Sequence, residues 1–357
     1  MAGASLKSDT PRSLGYAMPA EWAPHEATWL SWPHNSQTWP TQIERVRAAW
    51  ATMAAALTPH ERVCLLVNDA AEEADAAARL RAAGADGRNL RFFRIPTVDV
   101  WIRDYGPTFV LGSGAAPLAC NDWIFNGWGG KYPGYERDDS VAEAIASALG
   151  VPVFRHPVVL EGGSFDVNGA GSCLTTEQCL LHPNRNPSMD RREIEEFLRA
   201  ALGLSHVIWL GEGVCGDDTD GHVDDIARFV NERTVVCALE ENPRDENYRA
   251  LMDNYERLKA AADQDGHRLE VIPLPCPRPI FFEDARLPAS YANFYIANGV
   301  VLVPTFDDPA DARALGVLRE LFPDRDVVAV PCTDVVAGLG AVHCVTQQQP
   351  RVFRRGP

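Results

Sequence analysis

One segment of the chain combines carboxylates with an imidazole at close spacing. It runs from Asp217 to Asp225 and reads DDTDGHVDD. In an extended chain, residues two apart point to the same side, so Asp220, His222 and Asp224 are predicted to share one face. Two carboxylates that flank an imidazole are costly unless a cation neutralises them. The segment therefore predicts a functional site that receives a cation.

Three further segments place reactive side chains beside glycine. Asp104 follows Trp101 and precedes a Gly-Pro turn, and Glu161 precedes two glycines that leave the backbone open to close approach. Cys344 follows a glycine turn, adjoins His343 and is predicted to begin an apolar strand. Together these groups are consistent with a metal site, or with attack of a cysteine on a carbon that carboxylates hold in place.

The composition limits the classes of partner. The chain has 357 residues, and 33 Lys and Arg against 49 Asp and Glu give it a formal net charge of -16. This charge disfavours nucleic acid and anionic membranes as partners and attracts small cations. Nine cysteines without a CxxC pair indicate a reducing, cytoplasmic location, and neither a disulfide framework nor a zinc ribbon. No segment reaches the roughly 18 apolar residues of a membrane span.

The chain is predicted to form one domain. No low-complexity linker divides it, so residues 15–357 are expected to fold as a single unit after a flexible tail over residues 1–14. Short apolar strands repeatedly lead through an acidic, proline-containing loop into an amphipathic helix. The predicted pairs are a strand from Cys179 with a helix over Met189–Leu202, a strand from Thr234 with a helix over Tyr248–Asp263, and a strand from Val300 with a helix over Ala310–Leu321. Such a repeat fits an open α/β sheet or, with five copies of about 71 residues, a closed ring.

Over nearly its whole length the sequence resembles the agmatine deiminase family, within the larger group of guanidine-modifying penteins. The matching segments, in chain order, are Met18–Trp22, Ser31–Pro33, Trp101–Pro107, Phe125–Gly130, Leu160–Gly163, Leu174–Pro187, Asp220–Asp224, Tyr291–Gly299 and His343–Pro350. The resemblance implies an α/β fold, a five-bladed pseudo-symmetric propeller with one repeat per blade and the site at its central axis. Each reactive segment would then come from a different blade.

The same resemblance implies a role for each reactive residue. Cys344 is the expected nucleophile and His222 the general acid and base. Asp104 and Asp224 would grip the guanidinium nitrogens, and Glu161 would orient the histidine and the substrate. The implied substrate is a small cationic guanidino compound, agmatine first of all, with N-carbamoylputrescine and ammonia as products of a step in putrescine biosynthesis. No cofactor and no metal are implied, and the oligomeric state, a homo-oligomer included, is left open.

Two positions depart from the family pattern. The glycine-rich run before His343 reads Gly338-Leu339-Gly340-Ala341, which makes it stiffer, and Asp218 stands where glutamate is common. Asp218 is a candidate contact for the far amine of the substrate, and Trp101 is predicted to stack on the guanidinium. The departures leave the guanidine chemistry intact but weaken the choice of agmatine as the substrate.

Other functions remain open at this point. A deiminase could act on free or peptidyl arginine or another guanidino compound, and a non-catalytic pentein could only bind a cation. A di-manganese ureohydrolase also uses an Asp-x-His-x-Asp motif. The second acidic motif that it needs, Asp-x-Asp, is missing around Asp307 and Asp308. Free arginine would need a cationic partner for its carboxylate. The matching segments offer only Arg103, which is expected to point away from Asp104.

Overall fold

The computed structural model describes residues 9–353. The strands in this part of the chain are β1 (Tyr16–Ala17), β2 (His25–Ser31), β3 (Arg62–Val67), β4 (Leu90–Arg94), β5 (Thr108–Gly112), β6 (Leu118–Ile124), β7 (Val153–Val159), β8 (Phe165–Val167), β9 (Ser172–Thr176), β10 (His206–Leu210), β11 (Ala227–Phe229), β12 (Thr234–Leu239), β13 (Glu270–Pro275), β14 (Phe281–Phe282), β15 (Ala285–Arg286), β16 (Tyr295–Ala297), β17 (Val300–Thr305), β18 (Asp326–Pro331) and β19 (Gln347–Pro350). The helices are α1 (Ile43–Leu57), α2 (Ala70–Ala82), α3 (Ile102–Tyr105), α4 (Gly127–Gly130), α5 (Val141–Leu149), α6 (Glu177–Leu180), α7 (Arg191–Leu202), α8 (Tyr248–Ala260) and α9 (Ala310–Leu321). Short 3-10 turns cover Arg12–Leu14, Tyr135–Ser140, Gly162–Ser164, Val223–Asp225 and Val335–Gly338.

One supersecondary unit is repeated in five sheets. An antiparallel pair of strands is followed by a helix and by a strand parallel to the second member of the pair. The unit occurs as β5-β6-α5-β7, β8-β9-α7-β10, β11-β12-α8-β13 and β16-β17-α9-β18. The fifth sheet, β19-β2-β3-β4, takes its first strand from the C-terminal end of the chain and its others from the N-terminal end. The repeat indicated by the sequence is therefore confirmed, and one open sheet is excluded for residues 9–353.

The connections between these units carry the reactive residues. Asp104 lies between β4 and β5, and Glu161 lies between β7 and β8. His222 and Asp224 lie between β10 and β11, and Cys344 lies between β18 and β19. Residues far apart in sequence thus come from equivalent positions of a repeated fold.

The long helices follow from capping and amphipathic spacing. The α7 helix begins with a capping box, in which Asp190 accepts a hydrogen bond from the Glu193 amide and Glu193 accepts one from the Asp190 amide. It buries Ile194, Leu198 and Leu202, one side chain per turn, and ends at Gly203 with a left-handed backbone. These buried side chains belong to an apolar cluster that also contains side chains of β8, β9 and β10.

The predicted elements agree with the structure in most, but not all, places. The α9 helix has the predicted bounds, and α7 and α8 begin or end two or three residues inside the predicted ranges. The strand predicted from Cys179 is wrong, because Glu177–Leu180 form a helical turn that Thr176 caps, and the strand of that unit is β9. The side chain of Thr176 accepts a hydrogen bond from the Cys179 amide and starts this turn.

The N-terminal tail predicted over residues 1–14 lies partly outside the described residues, which begin at Asp9. Within the described part, Arg12–Leu14 form a 3-10 turn, and Arg12 donates a hydrogen bond of 2.8 Å to the Leu204 carbonyl. In the described chain, no helix combines the length and the apolar character needed to cross a bilayer.

Candidate active site

A cavity of about 420 Å³ opens beside Cys344. Its walls carry the aromatic side chains of Trp101, Trp128, Tyr132, Tyr135 and Phe282 and the carboxylates of Asp99, Asp104 and Asp218. None of the described residues that line it is a Lys or an Arg. Aromatic faces and carboxylates are the groups that attract an ammonium or guanidinium ion, so the cavity is suited to a small cationic ligand.

The thiol of Cys344 is held by an asparagine and faces a carboxylate. Asn293 donates a hydrogen bond of 3.1 Å to Sγ, and its own Oδ1 accepts the amide protons of His343 and Cys344. Oδ2 of Asp224 lies 3.7 Å from Sγ. Residues 342–345 form a turn ahead of β19, so the prediction that Cys344 begins a strand is wrong. The turn presents the thiol to the cavity, whereas a place in the strand would fix it in the sheet.

His222 lies between two carboxylates from other connections. Its Nδ1 is 3.6 Å from Oδ1 of Asp104 and its Nε2 is 3.8 Å from Oε2 of Glu161. These distances are longer than hydrogen bonds, as catalytic contacts often are before substrate binds. A methyl carbon placed on Gly163 would lie only 2.5 Å from Nδ1 of His222 and 3.0 Å from Oδ2 of Asp224, so only glycine leaves these converging side chains in place.

Glu161 is fixed by an arginine behind the site. Nε of Arg185 donates to Oε1 of Glu161 over 3.1 Å, and both side chains are fully buried. Arg185 also pairs with Asp220 and donates to the Thr219 carbonyl over 2.8 Å. This contact orients Glu161 toward His222 and compensates its buried charge.

The surroundings shift the pKa values of the reacting groups in different directions. Burial lowers the pKa of His222, but Asp104, Cys179 and Glu161 together hold it well above its usual value. Burial, reinforced by Asp224, raises the pKa of Asp104 to about 6 despite the opposing effect of His222. The imidazole is therefore held as an acid, and Asp104 is a base that gains a proton readily.

The thiol of Cys344 has its pKa raised well above the usual range. Burial is the largest cause, and the carboxylates of Asp224, Asp225 and Asp104 add to it. Burial also raises the pKa of Glu161 and Asp224, but Arg185 and His222 lower it for the first and His343 lowers it for the second, so both remain carboxylates. A cation bound among these carboxylates would favour the thiolate.

The predicted common face of Asp220, His222 and Asp224 is wrong. Asp220 adopts a left-handed backbone with φ of 65° and points to Lys131, Asn184 and Arg185. These partners outweigh burial and lower the pKa of Asp220 to about 2. Asp220 therefore acts at the back of the site, because the segment turns where an extended strand was expected.

The predicted substrate contacts both line the cavity. Trp101 is 5% exposed and also packs on Trp39, with ring centroids 5.7 Å apart. A Cβ on Gly338 or Gly340 would lie within 3 Å of Trp101, so the loop can carry a side chain only at Leu339 between them, whose φ is 71°. This left-handed backbone costs a branched residue roughly 1–2 kcal/mol.

Asp218 lines the cavity beside an aromatic residue that is hydrogen-bonded to it. Its carboxylate accepts a hydrogen bond from Tyr132, and its carbonyl accepts one from Lys131. Burial raises the pKa of Asp218. The Lys131 ammonium is itself engaged by Asp220 at 2.7 Å.

Some residues at the site were not predicted from the sequence. Three of them lie in the matching segments, but nothing in their local sequence indicates their contacts. Asn293 contacts the thiol, Arg185 contacts Glu161, and Trp128 contacts Asp104. Asp99 and Tyr132 line the cavity through contacts that only the fold creates.

Among the described residues, three groups of side chains have spacings that could hold a metal ion, and two of them lie at the site. They are Glu161 with Cys179 and His222, and Asp224 with Asp225 and Cys344. Arg185 already supplies a positive charge to Glu161, which disfavours a second cation in the first group. The second group surrounds the place beside Cys344 where a guanidinium would fit.

Five repeated units, whose connections bring a thiol and carboxylates to one cavity and a buried histidine to the carboxylate of Asp104 in its wall, define the chain as a pentein. The sequence profile of the Porphyromonas-type peptidyl-arginine deiminase family matches residues 17–350, and the chain belongs to that family. It is 41% identical to the agmatine deiminase of Ectopseudomonas mendocina, over 96% of this chain and 97% of that protein.

Solved structures agree with this assignment. The agmatine deiminase of Enterococcus faecalis superposes with a TM-score of 0.90 at 33% identity, over 98% of this chain and all of the other. An amidinotransferase from Microseira wollei, 12% identical, gives a TM-score of 0.52 over 95% of this chain and 97% of the other, a likeness of fold alone. The five-unit α/β fold expected from the sequence is confirmed.

Proposed function

We propose that this protein hydrolyses the guanidinium group of agmatine to N-carbamoylputrescine and ammonia. The observation that carries the proposal is that Cys344 borders a cavity whose charged walls are carboxylates. A guanidinium is a planar, delocalised cation that carboxylates bind through paired N–H···O contacts. The relatives named agmatine deiminases support the same reaction.

The first half of the proposed reaction ends in a covalent adduct. Asp104 and Asp224 hold the guanidinium and make its central carbon more electrophilic. Cys344 attacks this carbon as a thiolate, and a C–S bond forms while the C=N bond becomes single. His222 donates a proton to one nitrogen, the C–N bond breaks, and ammonia leaves an amidino group on the sulfur.

The second half consumes one water molecule. His222, now neutral, takes a proton from water, and the oxygen attacks the amidino carbon. Collapse of this adduct breaks the C–S bond and returns the thiolate. The hydroxyl proton of the adduct leaves to solvent, where it converts the released ammonia to ammonium, and a ureido product remains. Glu161 holds the imidazole in place through both steps and favours its protonated form. The chain itself supplies every group in this sequence.

The walls of the cavity favour agmatine over free arginine. Both substrates carry a guanidinium, but arginine adds a carboxylate that would face Asp99 and Asp218 in a cavity without a lining Lys or Arg. The ammonium of agmatine would instead be attracted to these carboxylates. Tyr132, which donates to Asp218, lies beside the place where the alkyl tail would end.

Substrate preference is tested by assaying ammonia and ureido product with agmatine, arginine and a blocked peptidyl arginine, with EDTA present. We expect turnover of agmatine at a kcat/KM at least about a hundredfold above that of arginine, because like charges in a buried site cost several kcal/mol. Preference for arginine would reassign the substrate but keep the chemistry. Release of urea in place of ammonia would contradict the mechanism, and loss of activity on chelation would point to a metal enzyme.

The activity is expected to fall in mild acid because of Asp104. Its pKa of about 6 is raised, so the proton binds as the pH falls through that value, and a neutral carboxyl no longer grips the cation. We predict that kcat/KM for agmatine decreases about tenfold per pH unit below about pH 6. The bound cation stabilises the carboxylate, so the acid limb of kcat should lie at lower pH than that of kcat/KM. A kcat/KM that is constant down to about pH 4.5 would contradict this role.

Further properties follow as proposals from the same assignment. The nine cysteines are free thiols in the structure, which supports a reducing, cytoplasmic location. The net charge of -16 supports a small cationic partner over nucleic acid. We propose that residues 15–357 act as one catalytic domain, and a homo-oligomer stays a prediction for sedimentation to test.

A further inference from the structure

His343, the residue before the nucleophile, lies between two buried carboxylates. Its Nδ1 is 2.7 Å from Oδ2 of Asp224, and its Nε2 is 2.8 Å from Oε2 of Glu21. All three side chains are at most 6% exposed. Neither His343 nor Asp224 lines the cavity, but Asp224 lies 3.7 Å from the Cys344 thiol that does, so His343 would act on the reaction through Asp224.

In this row of side chains, the two short contacts of the His343 ring favour its positively charged form. Ionised carboxylates only accept hydrogen bonds, so both ring nitrogens must donate, and only the imidazolium can do so. Burial raises the pKa of Glu21, but Arg228, His343 and Arg103 bring it well below its usual range. Arg228 lies 2.8 Å from the other oxygen of Glu21, which keeps that end of the row anionic.

The positive charge of His343 favours the ionised form of Asp224, whose other neighbours include both cationic and anionic groups. The groups that face Asp224 are His343, His222, Arg228, Arg103, Cys344, Asp225 and Asp104. Its Oδ2 is taken by His343, while its buried Oδ1 has no hydrogen-bond partner among the described residues. A guanidinium N–H is the donor that the proposed reaction would bring to that oxygen.

We propose that His343 is a positioning residue for the deimination proposed above: Glu21 holds it as an imidazolium, and it keeps Asp224 ionised, with Oδ1 free to receive the substrate. The inference rests on the proposed function. It assigns roles to two residues that never touch the substrate, one of which lies at the opposite end of the sequence.

The test compares His343→Gln and Glu21→Gln with the unaltered enzyme, using whichever guanidine that enzyme turns over. The glutamine at 343 can donate one hydrogen bond but carries no charge, so Asp224 should take up a proton more readily. Burial, no longer opposed by the His343 imidazole, would then raise the pKa of Asp224 above that of Asp104, which sets the acid limb in the unaltered enzyme. We therefore expect the acid limb of kcat/KM to move up by about one pH unit or more, with KM raised about tenfold near neutral pH and partly restored in alkali. A merely structural role would lower the activity equally at every pH, and that result would overturn the proposal.

A matched control is His25→Gln. His25 is also buried, with Nδ1 3.3 Å from Glu61 and Nε2 2.7 Å from the Glu21 carbonyl, but it makes no contact with Asp224. It should lower the melting temperature without moving the acid limb. A shift of the limb in this control as large as in His343→Gln would overturn the proposal.

A measurement on the unaltered protein does not depend on activity or on the folding of a variant. In histidine-labelled enzyme, 15N NMR distinguishes a ring protonated at both nitrogens from a neutral one, and the His343-Cys344 pair occurs once in the sequence, which allows selective labelling. We expect an imidazolium at neutral pH, and a neutral ring would overturn the proposal. If this result holds while agmatine, arginine and peptidyl arginine all remain unreacted, the proposed function fails and the charged row stands.

Discussion

Replacing Cys344 by alanine is expected to lower kcat for agmatine by about 10⁴-fold or more, because no other thiol borders the described cavity walls. The substrate should still bind, since Asp104 and Asp224 remain. Rapid acid quench of the unaltered enzyme during turnover should trap an amidino group on the peptide that contains Cys344. Intact-mass and peptide analysis would measure this adduct, which the alanine variant should lack.

The matched control for this experiment is Cys215→Ala. Cys215 is a half-buried thiol whose Sγ lies 3.1 Å from Glu246, away from the cavity. This variant should keep the parental kcat and KM. Residual activity in Cys344→Ala within tenfold of the parent would exclude covalent catalysis by this residue, as would an adduct found on another cysteine.

Adding one methyl group at Gly163 is expected to lower kcat/KM by about a hundredfold or more while the protein stays folded. The new carbon would lie 2.5 Å from His222, 2.9 Å from Asp104 and 3.0 Å from Asp224, and all three contacts are with the ends of side chains. Those ends can move by a fraction of an ångström, so the fold accommodates Gly163→Ala. Catalytic geometry is less tolerant, since a misplacement of about 1 Å can cost a hundredfold in rate.

The neighbouring substitution Gly162→Ala separates a loss of activity from a loss of stability. There the added carbon would lie 2.1 Å from the carbonyl oxygen of Arg103, and backbone cannot yield as a side chain does. Thermal unfolding should therefore show a larger loss of stability for Gly162→Ala than for Gly163→Ala. Full activity in folded Gly163→Ala would show that the reacting groups do not converge at this glycine.

Periodicity in the sequence was sufficient to predict the regular elements but not the turns between them. The α9 helix was predicted with its observed bounds because its apolar residues recur at helical spacing after a proline. The strand from Cys179 was mispredicted because an apolar run of three residues fits a strand or a helical turn equally well, and the Thr176 cap decides in favour of the turn.

The reactive residues were predictable by type, whereas their supporting contacts were not. Cys344, His222 and Asp224 stand in unusual local surroundings that short-range reasoning can recognise. The contact of Asn293 with Sγ joins residues 51 positions apart, and that of Glu21 with His343 joins residues 322 apart. Such contacts depend on how the units assemble, about which a single sequence carries no local signal.

The pairing of β19 with β2 determines when this protein can become active during its synthesis. Gln347 lies opposite Trp29, so the sheet that contains both ends of the chain is completed only after the ribosome has made the last strand. The other four repeated units are each built from consecutive segments and can form while translation continues. The thiol enters the site with that final strand, and contacts between such distant residues close slowly. A chain that lacks the segment from Cys344 through β19 is therefore expected to release no ammonia.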